Sequence, residues 1–397
     1  MLFCCTFKNL YSFADQAELS FLLPQHNEIA GWVRASRAHR PVTAVLAVMG
    51  ANGSGKSGLI RIGAALAWFI RDSFNLAPED ALPFGPHLAR RDAPSELKVV
   101  YEGADGAEWS YELRIRADRI EFEELSRTGG ESGSRPSRVF TREACGDSYS
   151  VLQGLGIADS EAVTVRPNVS FISWARQHGS AMAQRIAKTS LVTNLGMWGC
   201  EQSAASTQRA AAAHFAKHPD YRDSMRALMK LWDFGLSDVR LQALPAHPTA
   251  SGNLGEAEWM ALGIHHDADG STFELPFLRE SSGARRAFVL LWKLLPVLEQ
   301  GGLALIDDLD ADLHPHMIEP VLRLFHGEDT NPHGAQLLFT CRSPEVLRSL
   351  HRAQVTFVEK VECKSEVYRG DAIEGLTGQH NLHNKYLSGA LGAVPQI

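Results

Sequence analysis

The sequence predicts an α/β fold in which a parallel sheet is combined with an antiparallel β-lobe and a helical insertion. The apolar run VTAVLAVM at 42–49 is followed by a glycine-rich turn and a helical pattern, as expected where a buried strand leads into a helix. Residues 97–125 alternate between polar and apolar around turn residues, which predicts an antiparallel meander. From about 150 to 235 the apolar residues recur at helical spacing, which predicts core-facing helices.

The length of the chain predicts more than one compact unit. A chain of 397 residues exceeds one typical hydrophobic core. We expect residues 1–145 to form the N-terminal half of the fold with the glycine-rich turn and the β-lobe, 146–245 to form the helical insertion, and 246–397 to form the C-terminal half. We expect partner specificity to lie in the helical insertion, because the sequence motifs described below all lie outside it.

Composition excludes several classes of protein. Hydrophobic residues make up 45% and charged residues 21%, which is ordinary for a soluble globular chain. No stretch offers the 18 or so uncharged apolar residues of a membrane span, and the start lacks the pattern of a signal peptide, so a cytoplasmic location is expected. The six cysteines form no CxxC pair, which argues against a zinc site. A net charge of −7 gives no overall attraction to nucleic acid, which leaves binding possible only through a local basic patch.

The glycine-rich turn GANGSGKS matches the phosphate-binding pattern GxxxxGK[ST]. In this pattern the backbone N–H groups surround phosphates, the lysine reaches the β- and γ-phosphates, and the hydroxyl after it can ligate Mg²⁺. The bland alternative is a glycine turn that only joins a strand to a helix. We predict ATP binding here, and the predicted binding residues are Gly50, Asn52, Gly53, Ser54, Gly55, Lys56 and Ser57.

A second acidic segment, LALIDDLD, supplies what such a site needs on its other side. Leu303–Ile306 is predicted to be a short buried strand that ends in two aspartates. Asp307 is placed to support Mg²⁺ together with Ser57, and Asp308 is placed to polarise an attacking water. The alternative is a strand that ends in a solvated acidic loop.

The segment ESSGARR precedes a helical pattern. A helix that begins at Ser281, Ser282 and Gly283 can donate N–H and hydroxyl groups to a phosphate, although taken alone the same serines are an ordinary helix cap.

The order of FKNLYSF, GANGSGKS, ESSGARR, LALIDDLDADLHP, AQLLFTCRSPEVL and YLSGALGAVPQI resembles the AAA15-type family of ABC-class ATPases, relatives of RecF, SMC and OLD ATPase heads. The anti-phage ATPases of the Septu, PARIS and RloA type are similar. The resemblance implies a P-loop ABC-class head in which ATP bound at 50–57 of one copy is capped by Ser281–Gly283 of a second. It also implies Asp307 as the Walker B aspartate, a D-loop at 309–313, and a lid made by the meander.

Three positions depart from the family pattern. Asp308 stands where a longer glutamate is usual, Arg342 stands where a histidine is usual, and Val361 replaces an acidic residue. An arginine cannot accept a proton near neutral pH, although it can still clamp a γ-phosphate. We therefore predict strong ATP binding with slow turnover, with Asp308 and Arg342 as the candidate catalytic residues.

Two functions remain open from the sequence. One is a nucleotide-regulated oligomer in anti-phage defence that holds or controls a separate effector, such as a nuclease, because no nuclease motif stands out in this chain. The other is an active RecF/SMC-like ATPase in DNA repair or maintenance. The pair His265-His266 in GIHHDADG has no companion metal ligands and is predicted to form a turn.

Overall fold

The computed structural model of the chain describes residues 1–24, 29–37, 40–116, 118–129, 135–188, 190–196, 203–245, 257–376 and 381–395. In these residues the strands are β1 Leu2–Lys8, β2 Ala17–Ser20, β3 Val33–Ala35, β4 Pro41–Thr43, β5 Val45–Met49, β6 Ser95–Glu102, β7 Glu108–Ile115, β8 Ile120–Thr128, β9 Ser137–Cys145, β10 Ser148–Gln153, β11 Leu191–Thr193, β12 Asp238–Ala243, β13 Trp259–His266, β14 Thr272–Pro276, β15 Leu303–Ile306, β16 Gln336–Thr340, β17 Val355–Val361 and β18 Lys364–Arg369.

The α-helices of the same residues are α1 Lys56–Asp72, α2 Asp159–Ala162, α3 Phe171–Gln177, α4 Ala181–Ala187, α5 Ala204–Lys217, α6 Pro219–Leu231, α7 Ser282–Gln300, α8 Pro315–Arg323, α9 Gly327–Thr330 and α10 Leu382–Leu387. Short 3₁₀ helices lie at Ser73–Asn75, Leu88–Arg90, Phe277–Arg279, Pro344–Arg348, Arg352–Gln354 and Gly370–Ala372.

A six-stranded sheet in the order β11-β15-β16-β5-β17-β18 forms the centre of the fold. Neighbouring strands from β11 to β17 are parallel, and β18 is antiparallel to β17. The strands predicted at 42–49 and 303–306 both contribute to this sheet. The first is divided at Ala44 into β4, which pairs with β3 in a separate sheet, and β5, which lies in the six-stranded sheet. All five residues of β5 are buried, as expected for a central strand covered on both faces. The carboxyl ends of β5, β15 and β16 therefore meet at one edge of the sheet.

The predicted antiparallel meander is confirmed as β6, β7 and β8. These strands belong to a seven-stranded antiparallel sheet in the order β10-β9-β8-β7-β6-β1-β2. Alternate residues of β7 are buried, including Trp109, Tyr111 and Leu113, so one face of the sheet covers a core that it shares with α1 and α3.

The range expected to be a helical insertion, 146–245, needs correction. It contains α2 to α6, but it also contains β10, which completes the antiparallel sheet, and β11, which pairs in parallel with β15. β12 forms a third sheet with β13 and β14. Short strands surrounded by helical spacing have no clear period of their own, so the sequence did not separate them. The expected boundary at 245/246 falls where 246–256 lie outside the described residues.

The helices of this range are part of the main core. Ala211, Phe215, Met225 and Met229 are fully buried and pack in one cluster with Phe288 of α7. The segment 146–245 therefore contributes strands to the sheets and buried side chains to the main core.

A buried ion pair joins the antiparallel lobe to the start of α3. Glu123 and Arg142 are fully buried, and the Arg142 Nη1 lies 3.8 Å from the Glu123 Oε2. The Glu123 carboxylate accepts hydrogen bonds from the Tyr111 hydroxyl, the Ser170 hydroxyl and the Phe171 backbone N–H. Arg142 donates to three backbone carbonyls at 165–169. Burial is the main influence on Glu123 and raises the pKa of its carboxyl, and Arg142 opposes that shift.

The start of α3 is in turn bonded to the end of α1. The Ser73 hydroxyl accepts from the Ser170 backbone N–H at 3.0 Å, and the Ser173 hydroxyl donates to the Arg71 carbonyl at 3.2 Å. The lobe and α1 are thus connected through α3.

The prediction of a turn at His265-His266 is wrong. Both residues lie in β13, and the turn follows at Asp267–Gly270. The polar HHDAD run concealed the end of the strand, because one face of β13 is solvated there.

Candidate functional site

The glycine-rich turn connects β5 to α1 at the carboxyl edge of the parallel sheet. Gly55 has a φ of 115°, and a Cβ there would lie 2.6 Å from the Ser365 Oγ and 2.8 Å from the Ser12 Oγ. A Cβ at Gly50 would lie 2.3 Å from the Val358 carbonyl oxygen. Neither position accepts a side chain, so the loop can keep this close-packed backbone only with glycine.

Lys56 begins α1 and points back into the loop. It is 7% exposed, and its Nζ donates to the Gly50 and Ala51 carbonyls at 2.7 and 2.9 Å. Burial lowers the pKa of Lys56 from its ordinary value, and the nearby carboxylate of Asp308 opposes that shift. The ammonium group is therefore held at the loop by carbonyls that an anionic phosphate can replace.

The loop also fits a bound phosphate in other respects. The Ser54 Oγ is buried and has no hydrogen-bond partner among the residues that the structure describes. Asn52, Gly53 and Ser57 are exposed on the loop. An orphaned buried hydroxyl beside an exposed helix start is the arrangement expected where a ligand supplies the missing contact.

Two serines from distant parts of the chain support the loop. The hydroxyls of Ser12 and Ser365 are hydrogen-bonded to each other at 2.7 Å, and the Ser365 hydroxyl also donates to the Ser54 carbonyl. The Ser365 backbone N–H donates to the Ser12 carbonyl at 2.8 Å. The β17–β18 hairpin and the segment after β1 thus fix the loop between them.

Asp307 follows β15 and is 7% exposed. Its Oδ1 accepts a 2.6 Å hydrogen bond from the Thr340 hydroxyl at the end of β16. The same hydroxyl accepts from the Asp308 backbone N–H at 2.7 Å. The Asn194 side chain bonds both the N–H and the carbonyl of Asp307 at 2.8 Å. The carboxylate is therefore fixed in direction with its other oxygen left for a ligand.

Asp308 has a left-handed backbone and a carboxylate that is paired with an arginine. Its φ of 47° is left-handed, and its carboxylate forms a bidentate ion pair with the Arg342 guanidinium, with Nε 3.1 Å from Oδ1. This hydrogen bond is the main cause that raises the pKa of Arg342. The backbone N–H groups of Arg342 and Ser343 donate to the Asp310 carboxylate, which fixes the backbone that carries the arginine.

The predicted serine–glycine motif lies at the start of α7. The Ser281 Oγ accepts from the Ala284 N–H at 3.2 Å, so the cap predicted for this helix is present. Ser281 and Ser282 are exposed, and a Cβ at Gly283 would lie 3.1 Å from the Asp312 carbonyl oxygen. In the described part of the chain, the hydrogen bonds do not join this motif to the loop at 50–57.

The predicted site residues thus fall into two groups. Lys56, Asp307, Asp308 and Arg342 lie together at the carboxyl edge of the sheet, whereas Ser281–Gly283 belong to a separate surface beside the D-loop. Val361 lies near the end of β17, is 45% exposed, and has no described bond to Asp308 or Arg342.

The donor set suits Mg²⁺ shared with a nucleotide. Ser57 and Asp307 are the residues that could supply two oxygen ligands, and Mg²⁺ at phosphate sites takes its remaining ligands from phosphates and water. Within the described residues, no cluster of three or more histidine, cysteine or acidic side chains could hold a metal alone.

Sequence reasoning missed several supporting residues. Ser12, Ser365, Asn194 and Thr340 contact the loop or Asp307 through bonds that span large separations along the chain. Arg286 of α7 donates to the Asp307 and Asp308 carbonyls. Ser12, Arg286 and Thr340 lie within the quoted segments FKNLYSF, ESSGARR and AQLLFTCRSPEVL, whereas Asn194 and Ser365 lie outside them.

Comparisons with known proteins agree with this architecture. A family model described as "AAA domain, putative AbiEii toxin, Type IV TA system" matches residues 204–348. None of the curated proteins matches the chain.

Among solved structures, an SMC head bound to the C-terminal winged-helix domain of ScpA is similar over 93% of this chain and 97% of that one, with 13% identity and a TM-score of 0.51. An SMC head domain from Thermotoga maritima covers 93% of this chain and 98% of its own, with 14% identity and a TM-score of 0.45.

The predicted fold class is therefore confirmed: the chain has the fold of ABC-class ATPase heads, with the similarity to SMC heads as its support. No helix in the described part of the chain has the length and apolarity needed to cross a lipid bilayer.

Proposed function

We propose that the protein binds ATP with Mg²⁺ between two facing copies, hydrolyses it slowly, and uses the nucleotide state to control a separate effector. The observation that carries this proposal is the joint placement of Lys56, Asp307 and the Asp308–Arg342 pair at one edge of the parallel sheet.

The binding step follows from the loop. Lys56 exchanges two carbonyl partners for phosphate oxygens, and the N–H groups at the start of α1 face the same anion. Ser57 and Asp307 hold Mg²⁺, which neutralises phosphate charge when it is bound. The bonds from Thr340 and Asn194 keep Asp307 in the direction that this requires.

Slow hydrolysis follows from Asp308. A residue that polarises the attacking water must have a free carboxylate within hydrogen-bond reach of that water. Here both carboxylate oxygens are engaged by Arg342. Aspartate is also one methylene shorter than the glutamate that the family resemblance implies.

The facing copy supplies the second phosphate contact. Ser281 and Ser282 are exposed at the start of α7, and among the described residues no hydrogen bond joins them to the loop of their own chain. A phosphate-binding helix start of this kind is free to meet the nucleotide of a second molecule. This arrangement is the one that the resemblance to ABC-class heads implies.

The biological role that we propose is anti-phage defence by an AAA15-type ATPase whose effector, for example a nuclease, is a separate protein. The family model that matches residues 204–348 is described as a putative toxin of a type IV toxin–antitoxin system; that description concerns the matched domain itself and names no separate effector. Residues 146–245 are the proposed partner-specific part. The second candidate is an active RecF/SMC-like ATPase in DNA maintenance, which the similarity to an SMC head favours.

ATP binding and ATP hydrolysis measured side by side test the proposal. We expect tight Mg²⁺-dependent binding with turnover near background, and loss of binding in Lys56→Ala. The matched control is Lys98→Ala, which removes an exposed lysine of β6 that pairs with Glu112. Unchanged nucleotide affinity in Lys56→Ala refutes the site, and fast turnover of the wild type favours the second candidate.

A further inference from the structure

We propose that His265 and Glu280 position the motif Ser281–Gly283 for the nucleotide bound by the facing copy. The inference rests on the proposed function and adds two residues that lie outside the phosphate-binding motifs. Glu280 immediately precedes the motif, and its side chain is only 5% exposed. A buried carboxylate at this point must have a partner, since an unpaired buried charge is strongly unfavourable.

That partner is His265 of β13. Its Nε2 lies 2.8 Å from the Glu280 Oε1, and its Nδ1 lies 3.1 Å from the Gly235 carbonyl oxygen. Its ring is stacked on Phe273 of β14 at a centroid distance of 5.0 Å. One imidazole thus connects the turn after α6, the edge strand of the third sheet and the residue before the motif.

The chemistry of these contacts makes the bridge strong. A carbonyl and a carboxylate are both acceptors, so the ring satisfies both when its two nitrogens each carry a hydrogen. Because the acceptor is a carboxylate, the contact from Nε2–H to Glu280 is a charge-assisted hydrogen bond. Neighbouring charged side chains are engaged elsewhere, Arg240 with Glu274 and Arg226 with Asp238.

The fold leaves room for Glu280 beneath β13. A Cβ at Gly263 would lie 2.2 Å from the Glu280 Oε1, so any side chain at 263 would displace the carboxylate. Gly263 does not have a positive φ, so its lack of a side chain is needed for space alone.

The same turn after α6 also contacts the motif itself. A Cβ at Gly283 would lie 3.6 Å from Phe234, which precedes the Gly235 that accepts from His265. The same Cβ would lie 3.1 Å from the Asp312 carbonyl oxygen. The motif therefore has Glu280 immediately before it and Phe234 and Asp312 close beside Gly283.

Five variants test the positioning role: Glu280→Ala, Glu280→Gln, His265→Ala, Gly263→Ala and the control Glu274→Ala. Glu274 is a carboxylate of the same sheet whose partner is Arg240, away from the motif. Self-association is measured by sedimentation velocity with Mg²⁺ and a non-hydrolysable ATP analogue. Hydrogen exchange of the backbone amides at 282–284 is measured without nucleotide, and nucleotide affinity is measured by fluorescence.

We expect Glu280→Ala and His265→Ala to weaken nucleotide-dependent association about tenfold, the size of one lost charge-assisted hydrogen bond. Amide exchange at 282–284 should rise, while nucleotide affinity of the separate copies stays unchanged, because the motif acts on the other copy. Glu280→Gln should restore most of the association, since its amide can donate to Nε2 of a neutral ring whose Nδ1–H still serves Gly235.

The outcomes separate this inference from the proposed function. If the wild type associates on nucleotide addition but Glu280→Ala behaves like Glu274→Ala, the positioning role is wrong and the dimer stands. If the wild type does not associate at all, the facing-copy proposal fails and this inference fails with it. If the alanine variants do not fold, Glu280→Gln and Gly263→Ala decide: association equal to wild type in Gly263→Ala refutes the role.

Discussion

Replacing Asp308 with glutamate and Arg342 with histidine should raise ATP turnover. The Arg342 side chain is 56% exposed and that of Asp308 is 25% exposed, so their ion pair is close to a surface pair. Such pairs contribute about 0–1 kcal/mol, and breaking this one frees the carboxylate at little cost to stability. A freed Asp308 alone should therefore gain at most about fivefold in turnover, the equivalent of about 1 kcal/mol.

The larger gain in turnover should come from the longer reach of the carboxylate at position 308. Glutamate extends the carboxylate by one methylene, about 1.5 Å. A correctly placed general base contributes about 10²–10⁴ in rate, so Asp308→Glu with Arg342→His should raise the turnover number at least about tenfold even if the new base is imperfectly placed. The left-handed backbone at 308 limits the gain, because the side chain leaves the chain in a fixed direction.

The assay is phosphate release at saturating Mg²⁺ and ATP, with binding affinity measured in parallel. The control combines the two substitutions with Lys56→Ala, which should abolish the signal. Arg342→His alone frees the Asp308 carboxylate, and Asp308→Glu alone extends it, so the two single variants separate these effects. The reasoning is refuted if the double variant turns over no faster than a wild type that is already a fast ATPase, because the ion pair then does not restrain hydrolysis.

Three further substitutions test the supports of the site and the fold. Ser365→Ala should weaken ATP affinity about tenfold by removing a bond to the phosphate-binding loop, measured by calorimetry; an unchanged affinity would show the loop to be rigid without it. Thr340→Val should lower the free energy of unfolding by about 1–3 kcal/mol in urea and raise the Mg²⁺ concentration needed for hydrolysis, because Asp307 loses its fixed direction. Glu123→Ala should lower the free energy of unfolding by about 3–5 kcal/mol in urea by leaving Arg142 buried without its counter-charge, and a loss below about 1 kcal/mol would mean that the carbonyl bonds suffice.

The sequence predicted the parts of the site that depend on adjacent residues. The loop at 50–57 has a local signature because its glycines, lysine and serine act through one turn of backbone. The strand that precedes Asp307 was predicted at its observed bounds, Leu303–Ile306, since a short apolar run followed by acidic residues marks the end of a buried strand.

The supports of those parts could not be predicted in the same way. Ser12 and Ser365 meet at Gly55 although 353 positions separate them, and isolated serines carry no signal of a distant partner. The ion pair of Asp308 with Arg342 also has no signal in the sequence, because the two residues are 34 positions apart. In the helical range, β10 and β11 were missed because each takes its place from a neighbouring strand.

The bonds from the lobe to α3 and from α3 to α1 have a mechanical consequence. α1 begins at Lys56, and its 17 residues span about 25 Å to the end that Ser173 contacts. We expect a rotation of this helix, if phosphate replaces the carbonyl partners of Lys56, to displace the antiparallel sheet, because buried Glu123 and Arg142 connect the sheet to the start of α3. We therefore expect the edge of that sheet at β10 to change position if a nucleotide binds at the loop.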